Sequence, residues 1–270
     1  MKQILFTTLF IFLFVQLTAQ DQSERVSSFQ IDSKILKETR NCLISLPSSY
    51  QEQPEKQYPV MILLDGRAHF SIASEVSDFL SSTELRNNII PELIIVAIEN
   101  VDRERDFTVT KLQTTRKNTM GGGRNFLAFM EKELLPYVNE HYRTTDQKIL
   151  SGHSLGAQLA INAFRDSEST FDGFIAIDPA LWWDKEVTIA KVDSIKNQAF
   201  EKPLFIATAS QNPARATSNK AKHELLYELL EAKSDSTFFV EHMIFDDENH
   251  RSVPLLGLYY GLKYVFKPED

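Results

Sequence analysis

Two kinds of apolar pattern alternate along the chain. Short runs of consecutive apolar residues recur, as in residues 60–64 and 93–98. A strand has this pattern when both of its faces are covered, as in a parallel sheet. We therefore predict strands at residues 41–46, 59–64, 93–98, 148–151, 174–177, 203–207 and 238–245.

Segments with helical spacing lie between these runs. In residues 124–142 apolar side chains recur every three or four positions, and Pro136 should kink or end that helix. Further helices are predicted at residues 155–164, 219–232 and 252–266. Alternating strands and helices indicate an α/β fold with a mostly parallel central sheet. Residues 102–125 lack clear periodicity, and the pattern fits a functional loop and a surface excursion equally well.

Residues 1–19 form a separate segment. Lys2 precedes an apolar run from Ile4 to Val15, and the small residue Ala19 follows. This is the pattern of a secretory signal peptide, so we expect cleavage after Ala19 and a single exported domain at residues 20–270, periplasmic or secreted. The run is shorter than the about 20 apolar residues that span a bilayer, so no membrane span is expected in the mature chain. An uncleaved anchor is the alternative.

Composition narrows the classes of partner. The formal net charge is −8, and no block of five basic residues occurs. Nucleic acid is therefore not an expected partner, because phosphate binding needs clustered Lys and Arg. Cys42 is the single cysteine, which excludes an intramolecular disulfide and a cysteine-built zinc site.

The pentapeptide Gly-His-Ser-Leu-Gly at residues 152–156 has the form G-x-S-x-G. It directly follows a predicted strand and directly opens a predicted helix. This is the setting of a nucleophile elbow, in which a sharp turn lifts the serine hydroxyl above the carboxyl edge of the sheet. Ser154 is therefore the candidate nucleophile.

A serine nucleophile needs a base, which in this order of elements comes late in the chain. His242 lies inside a predicted strand, whereas His250 lies in a loop before the last helix, so His250 is the candidate base. The loop after residues 203–207 contains no carboxylate. Three possibilities stay open for the acid: Asp178, which ends the preceding strand, Glu224, or a Ser–His pair without an acid.

Two backbone N–H groups should stabilise the oxyanion. One is the N–H of Leu155, directly after the nucleophile. The other is the N–H of Arg67, which follows Asp65 and Gly66 at the end of an early strand.

With these features the chain resembles the putative-esterase family of α/β-hydrolases, and within it the siderophore-esterase-like branch, related to feruloyl esterases and S-formylglutathione hydrolases. The residues that carry the resemblance lie at 58–66, 69–70, 105–108, 133–138, 152–156, 181–184 and 250–254. It implies the α/β-hydrolase fold, with helices on both faces of the sheet. It also implies Ser154 as nucleophile, His250 as base and Arg67 and Leu155 as oxyanion donors. Many members carry the acid after the strand at 203–207, about where Asn212 stands here.

The resulting expectation is an exported serine esterase that needs neither metal nor cofactor. Its substrate would be a small-molecule or carbohydrate-linked ester. Acyl transfer to an acceptor alcohol and a non-catalytic binding module on the same fold are the alternatives. The sequence leaves the identity of the ester and the oligomeric state open.

Overall fold

A computed structural model describes residues 25–115, 117–166, 168–195, 201–211, 213–233 and 239–267 of the protein. The predicted signal peptide at residues 1–19 and Asn212 lie outside the described residues.

The described residues form one sheet of eight strands. These are Val26–Ser33 (β1), Glu38–Ser45 (β2), Tyr58–Leu63 (β3), Ile94–Ile98 (β4), Thr144–His153 (β5), Gly173–Ile177 (β6), Leu204–Ala209 (β7) and Val240–Phe245 (β8). The spatial order is β1-β2-β4-β3-β5-β6-β7-β8. β2 is antiparallel to both of its neighbours, and every pair from β4 to β8 is parallel. The carboxyl ends of β3, β5, β6, β7 and β8 therefore share one edge.

Helices cover both faces of this sheet. They are Gly66–Ser81 (α1), Arg103–Phe107 (α2), Gly123–Phe129 (α3), Leu135–His141 (α4), Leu155–Phe164 (α5), Val187–Asp193 (α6), Pro213–Lys233 (α7) and Val253–Val265 (α8). Alternate strand side chains point to opposite faces. Val60 and Ile62 of β3 pack in the cluster that contains α5, whereas Met61 and Leu63 pack with α1 and α8. The predicted α/β-hydrolase fold is confirmed.

All seven predicted strands are present, with shifted ends, but one strand, β1, and three helices, α1, α2 and α6, were missed. β1 pairs with β2 at the sheet edge and is mostly exposed, so it lacks the continuous apolar run of an inner strand. α1 was missed although Phe70, Ala73 and Leu80 recur at helical spacing on its buried side. The polar residues between them obscure the pattern.

The helix predicted at residues 124–142 continues to His141 rather than ending at Pro136. A π-helical turn, Met130–Leu134, joins α3 to α4 directly before the proline. Proline has no N–H and its ring clashes with the preceding turn of a regular helix, and a π turn offers a wider local path.

The segment at residues 102–125 begins with a helix, α2, that was not predicted. Its Asp106 is buried and lies 2.6 Å from the guanidinium of the buried Arg40. The N–H of Gly122 donates to the carbonyl of Arg105, and that of Gly123 to the carbonyl of Thr108, both at 2.9 Å. These contacts attach the start and the end of the segment to each other and to the core.

Candidate active site

Ser154 occupies the sharp turn between β5 and α5. Its backbone lies at φ 59° and ψ −117°, a strained region for a residue with a Cβ. The turn is so tight that a Cβ on Gly152 would lie 2.4 Å from the carbonyl group of Gly156. The pentapeptide therefore needs glycine at position 152, and it presents the serine at the carboxyl edge of the sheet.

His250 lies in the loop between β8 and α8, and its side chain is half exposed. Its Nδ1 is 2.5 Å from Oδ2 of Asp178. Because an ionised carboxylate can only accept, Nδ1 carries the proton of this hydrogen bond, and Nε2 of the neutral ring is free to accept another. The ring of His250 also packs against that of His153, with 4.4 Å between centroids.

Asp178 directly follows β6 and is almost completely buried. Its φ is +44°, and Oδ1 accepts a hydrogen bond from the N–H of Ala209 at 3.1 Å. Burial acts to raise the pKa of Asp178. The hydrogen bonds from His250 and from the N–H of Ala209 act in the opposite direction and prevail, so this pKa lies below its usual value. The side chain is an anion at neutral pH.

Main-chain hydrogen bonds attach the Asp178 turn to the Ser154 turn. The N–H of Ser154 donates to the carbonyl of Ile177 at 2.9 Å, and the N–H of Ala180 donates to the carbonyl of Ser154 at 3.1 Å. Ser154 is thus bonded to residues on both sides of Asp178. The three predicted residues, Ser154, His250 and Asp178, lie at one edge of the sheet.

The other possible positions for the acid have different surroundings. Glu224 is 43% exposed on α7, where its partner is Lys220 at 4.0 Å. After β7 come Ser210 and Gln211, and the hydroxyl of Ser210 donates to Asp246 at 2.6 Å. Of the carboxylates considered from the sequence, Asp178 is the one in contact with His250.

The predicted oxyanion donors are in the first turns of two helices. Leu155 is the first residue of α5, and Arg67 is the second residue of α1. First-turn N–H groups have no acceptor within their own helix and carry partial positive charge. Both helices begin at the carboxyl ends of adjacent parallel strands, β5 and β3. A Cβ on Gly66 would lie 2.8 Å from the carbonyl oxygen of Ile98, so only glycine lets α1 start this close to β4.

Comparisons with known proteins identify the family. The family model described as "Putative esterase" matches residues 33–222. The chain belongs to this family. It is therefore an ester hydrolase by family, and its fold is that of the family's α/β-hydrolases.

Individual relatives agree with this assignment. The chain is 25% identical over 252 residues to the ferri-bacillibactin esterase BesA of Bacillus subtilis (strain 168), covering 86% of each chain. It is 31% identical to an IroE-like serine hydrolase from Shewanella oneidensis of known structure, with a TM-score of 0.79, covering 91% of this chain and 82% of that one. The siderophore hydrolase EstB from Aspergillus nidulans shares the fold, with a TM-score of 0.76 at 20% identity and coverage of 90% and 95%.

A second aspartate, Asp65, lies beside the predicted oxyanion donor Arg67. It is 6% exposed and has a φ of +56°. Oδ1 accepts from Asn100 Nδ2 at 2.6 Å and from Arg103 Nε at 2.7 Å, and Oδ2 accepts from Arg103 Nη2 at 2.8 Å. Asp65 directly precedes Gly66 and Arg67. From the sequence, Asp65 was predicted only to lie at the end of an early strand, and its pairing with Arg103 was missed because the two residues are 38 positions apart.

A cavity of about 410 Å³ lies beside these groups. Its walls combine charged, imidazole and apolar side chains from Asp65, Ala68, His69, Ile72, Arg103, His153, Arg251, Ser252, Pro254 and Leu255. A larger depression of about 510 Å³ lies at the β1–β2 edge and has no candidate nucleophile among its lining residues. The smaller cavity, which includes the neighbours of Ser154 and His250, is the candidate substrate pocket.

His153 supports the site as a neutral ring. Burial, with a further contribution from His250 and His69, lowers the pKa of His153 to about 3. Its ring meets that of His69 edge to face at 5.3 Å. His153 therefore stays uncharged at neutral pH, and its ring contacts those of both His69 and His250.

Two kinds of feature are absent from the described part of the chain. No cluster of three or more His, Cys, Asp or Glu side chains there has the arrangement of a metal site. Within the same residues, no helix combines the length and the apolar character needed to cross a bilayer.

Proposed function

We propose that this ester hydrolase is an exported serine esterase with Ser154 as nucleophile, His250 as general base and Asp178 as the acid that orients the base. The observation that carries the proposal is the 2.5 Å hydrogen bond between His250 Nδ1 and Asp178 Oδ2. It leaves Nε2 free to accept a proton. The main-chain bonds from Ser154 to both sides of Asp178 add support.

The proposed reaction has two steps. His250 Nε2 takes the proton of Ser154 as Oγ attacks the ester carbonyl, and the N–H groups of Leu155 and Arg67 stabilise the tetrahedral oxyanion. The intermediate collapses when the alcohol leaves with a proton from His250, and an acyl-enzyme remains. Water, deprotonated by His250, then attacks the acyl-enzyme, and His250 returns that proton to Oγ of Ser154 as the carboxylic acid leaves. Asp178 stabilises the imidazolium that forms in both steps.

A variant pair tests the nucleophile. Ser154→Ala is expected to abolish hydrolysis of p-nitrophenyl acetate and labelling by a fluorophosphonate probe. Ser151→Ala is the matched control, because Ser151 lies on the same strand with a buried hydroxyl that has no hydrogen-bond partner in the described structure. Near-normal turnover by Ser154→Ala, with the control active, would refute the serine mechanism. An unlabelled wild-type protein would favour a non-catalytic binding module.

For the substrate we propose an ester of the siderophore class. The support is the names of the relatives, a ferri-bacillibactin esterase and a siderophore triacetylfusarinine C esterase from Aspergillus fumigatus. Catecholate trilactones with and without Fe³⁺, feruloyl esters and acetylated xylan should be compared by kcat/KM. We expect the trilactones to be preferred. A preference for acetylated xylan would contradict the proposal, and acyl products on an added alcohol would indicate transfer instead of hydrolysis.

Export rests on the pattern of residues 1–19. We expect the mature protein to begin at Gln20 and to fractionate with periplasmic or secreted proteins. N-terminal sequencing of the protein purified from its native host tests this. An intact residue 1–19 segment on protein in the cytosolic fraction would refute export.

A further inference from the structure

A buried hydrogen-bonded chain lies beneath Asp178, and the proposed reaction does not use it. His223 on α7 is fully buried, and its Nε2 is 2.8 Å from the carbonyl oxygen of Pro179, the residue after Asp178. Its Nδ1 is 2.7 Å from the hydroxyl of Thr208 on β7. The same hydroxyl is 2.7 Å from Nε2 of His242 on β8. Three neighbouring elements thus meet under the turn that carries the acid.

The partners determine where the protons lie. The carbonyl of Pro179 can only accept, so Nε2 of His223 carries a proton. In a neutral ring Nδ1 then accepts, and the hydroxyl of Thr208 donates to it. That hydroxyl in turn accepts from Nε2 of His242. Burial lowers the pKa of both His223 and His242, the latter to about 4, which agrees with two neutral rings.

The Asp178 turn needs such support because of its backbone. Asp178 has a φ of +44°, which is unfavourable for a residue with a Cβ. Its N–H donates to the carbonyl of Ala207 at 2.8 Å, and the N–H of Ala180 donates to that of Ser154 at 3.1 Å. Between these two bonds the carbonyl of Pro179 accepts from the N–H of Leu181 at 2.8 Å, within the turn, and from Nε2 of His223 on α7. The bond from His223 attaches the turn to a separate helix, so its loss would let the turn shift and carry the carboxylate away from His250.

We propose that His223 is a positioning residue for Asp178, acting through its Nε2–H bond to the Pro179 carbonyl, with Thr208 and His242 fixing the tautomer that makes this bond. The inference rests on the proposed catalytic role of Asp178. His223 lies 4.0 Å from Asp178 Oδ1 through Nδ1, but as a neutral ring it leaves the aspartate charge to His250. His223 thus holds the acid in place without competing for it.

Two substitutions of His223 test the roles of its two ring nitrogens separately. The amide nitrogen of glutamine can take the place of Nε2 and donate to Pro179, so His223→Gln should keep kcat within a few-fold of wild type. Asparagine reaches only as far as Nδ1, so His223→Asn keeps a partner for Thr208 and loses the Pro179 bond. We expect its kcat to fall by about 10²-fold, the effect of a displacement near 1 Å in a catalytic group, with KM unchanged.

A double-mutant cycle shows whether His223 acts through Asp178. In an Asp178→Asn background, His223→Asn should cause no further loss of kcat. If Asp178→Asn is impaired and His223→Asn lowers kcat by the same factor in both backgrounds, the inference is wrong while the proposed function stands. If Asp178→Asn leaves kcat unchanged, the proposed role of Asp178 is wrong and the inference falls with it.

One measurement needs no substitution at His223 and so does not depend on the folding of a variant. ¹⁵N NMR of the histidine rings in the wild-type protein at pH 7 should find His223 neutral with its proton on Nε2. The Nδ1–H resonance of His250 should appear downfield, as expected for a short bond to a carboxylate. An imidazolium, or a proton on Nδ1 of His223, would overturn the inference.

Discussion

Asp65 and Asp178 occupy equivalent places in the molecule but have different partners. Each lies at the carboxyl end of a parallel strand, each has a positive φ, 56° and 44°, and each is nearly buried, 6% and 3% exposed. Asp65 faces the guanidinium of Arg103 through two short hydrogen bonds. Asp178 faces the ring of His250 through one.

The difference between the partners separates a structural ion pair from a proposed catalytic one. A guanidinium is always charged and binds a carboxylate through a rigid fork, so the Asp65–Arg103 pair does not change during a reaction. An imidazole can gain and lose a proton near neutral pH, so the charge opposite Asp178 can change in each cycle. Residue type, backbone conformation and burial are the same, and the partner decides the chemistry.

The largest expected effect is the loss of catalysis when Asp178 is replaced. In Asp178→Asn the amide keeps the size of the side chain but cannot stabilise an imidazolium and favours the wrong tautomer of His250. We expect kcat for p-nitrophenyl acetate to fall by about 10³–10⁴-fold, with little change in the urea midpoint. Asp184→Asn is the matched control, because Asp184 also has a positive φ, 45°. A loss below tenfold would mean that the acid is dispensable.

Asp65→Asn should have the opposite effect, with a larger loss of stability than of activity. Arg103 would lose its carboxylate partner, and the free energy of unfolding should fall by about 1–3 kcal/mol, less than for a fully buried pair because the guanidinium is partly exposed. kcat should fall less than in Asp178→Asn, since the proposed donor Arg67 acts through its main chain. Urea unfolding and initial rates on both variants give the comparison. If Asp65→Asn costs more activity than Asp178→Asn, the division of roles is wrong.

The regions around Asp178 and Asp65 could be predicted from the sequence to different extents. The Ser154 elbow could be predicted because its strand, turn and helix are contiguous. Asp178 could only be ranked against Glu224 or no acid, because the contact with His250 spans 72 positions. The pairing of Asp65 with Arg103 had no local signal. Contacts between residues so far apart depend on the order of the strands in the sheet, which a single amino-acid sequence does not show.

The position of His223 in the sequence indicates a buried histidine, but this was missed. It precedes Leu226 by three positions and Leu230 by seven, so it lies on the buried stripe of α7. A histidine on an apolar stripe needs polar partners inside the protein. The chain order of the fold places the base after the last strand, so His223 was not a candidate base and its buried partners were missed.

The smallest expected effect is on the free energy of unfolding at acid pH. It distinguishes the two regions because histidines lie beneath Asp178, whereas the partner of Asp65 is an arginine. The pKa of His242 is about 4 in the folded protein, below the usual value near 6.5. The unfolded chain therefore binds a proton between these values while the folded protein does not. The stability that the neutral ring contributes is complete above about pH 6.5 and is lost progressively as pH falls to about 4. With allowance for partial exposure, the loss should be about 1–2 kcal/mol.

Urea unfolding of wild type and His242→Gln at intervals from pH 7 to pH 4 measures this loss. The variant has no titrating ring at this position, so its stability should fall less steeply over that range, even if it is less stable at pH 7. His141→Gln is the control for replacing a histidine elsewhere, because His141 is exposed on α4. Equal slopes for His242→Gln and wild type would mean that folding does not lower the pKa of His242. The neutral state of His242 would then be wrong, but the bond from Thr208 to His223 would stand, because a protonated His242 still donates from Nε2 to the Thr208 oxygen.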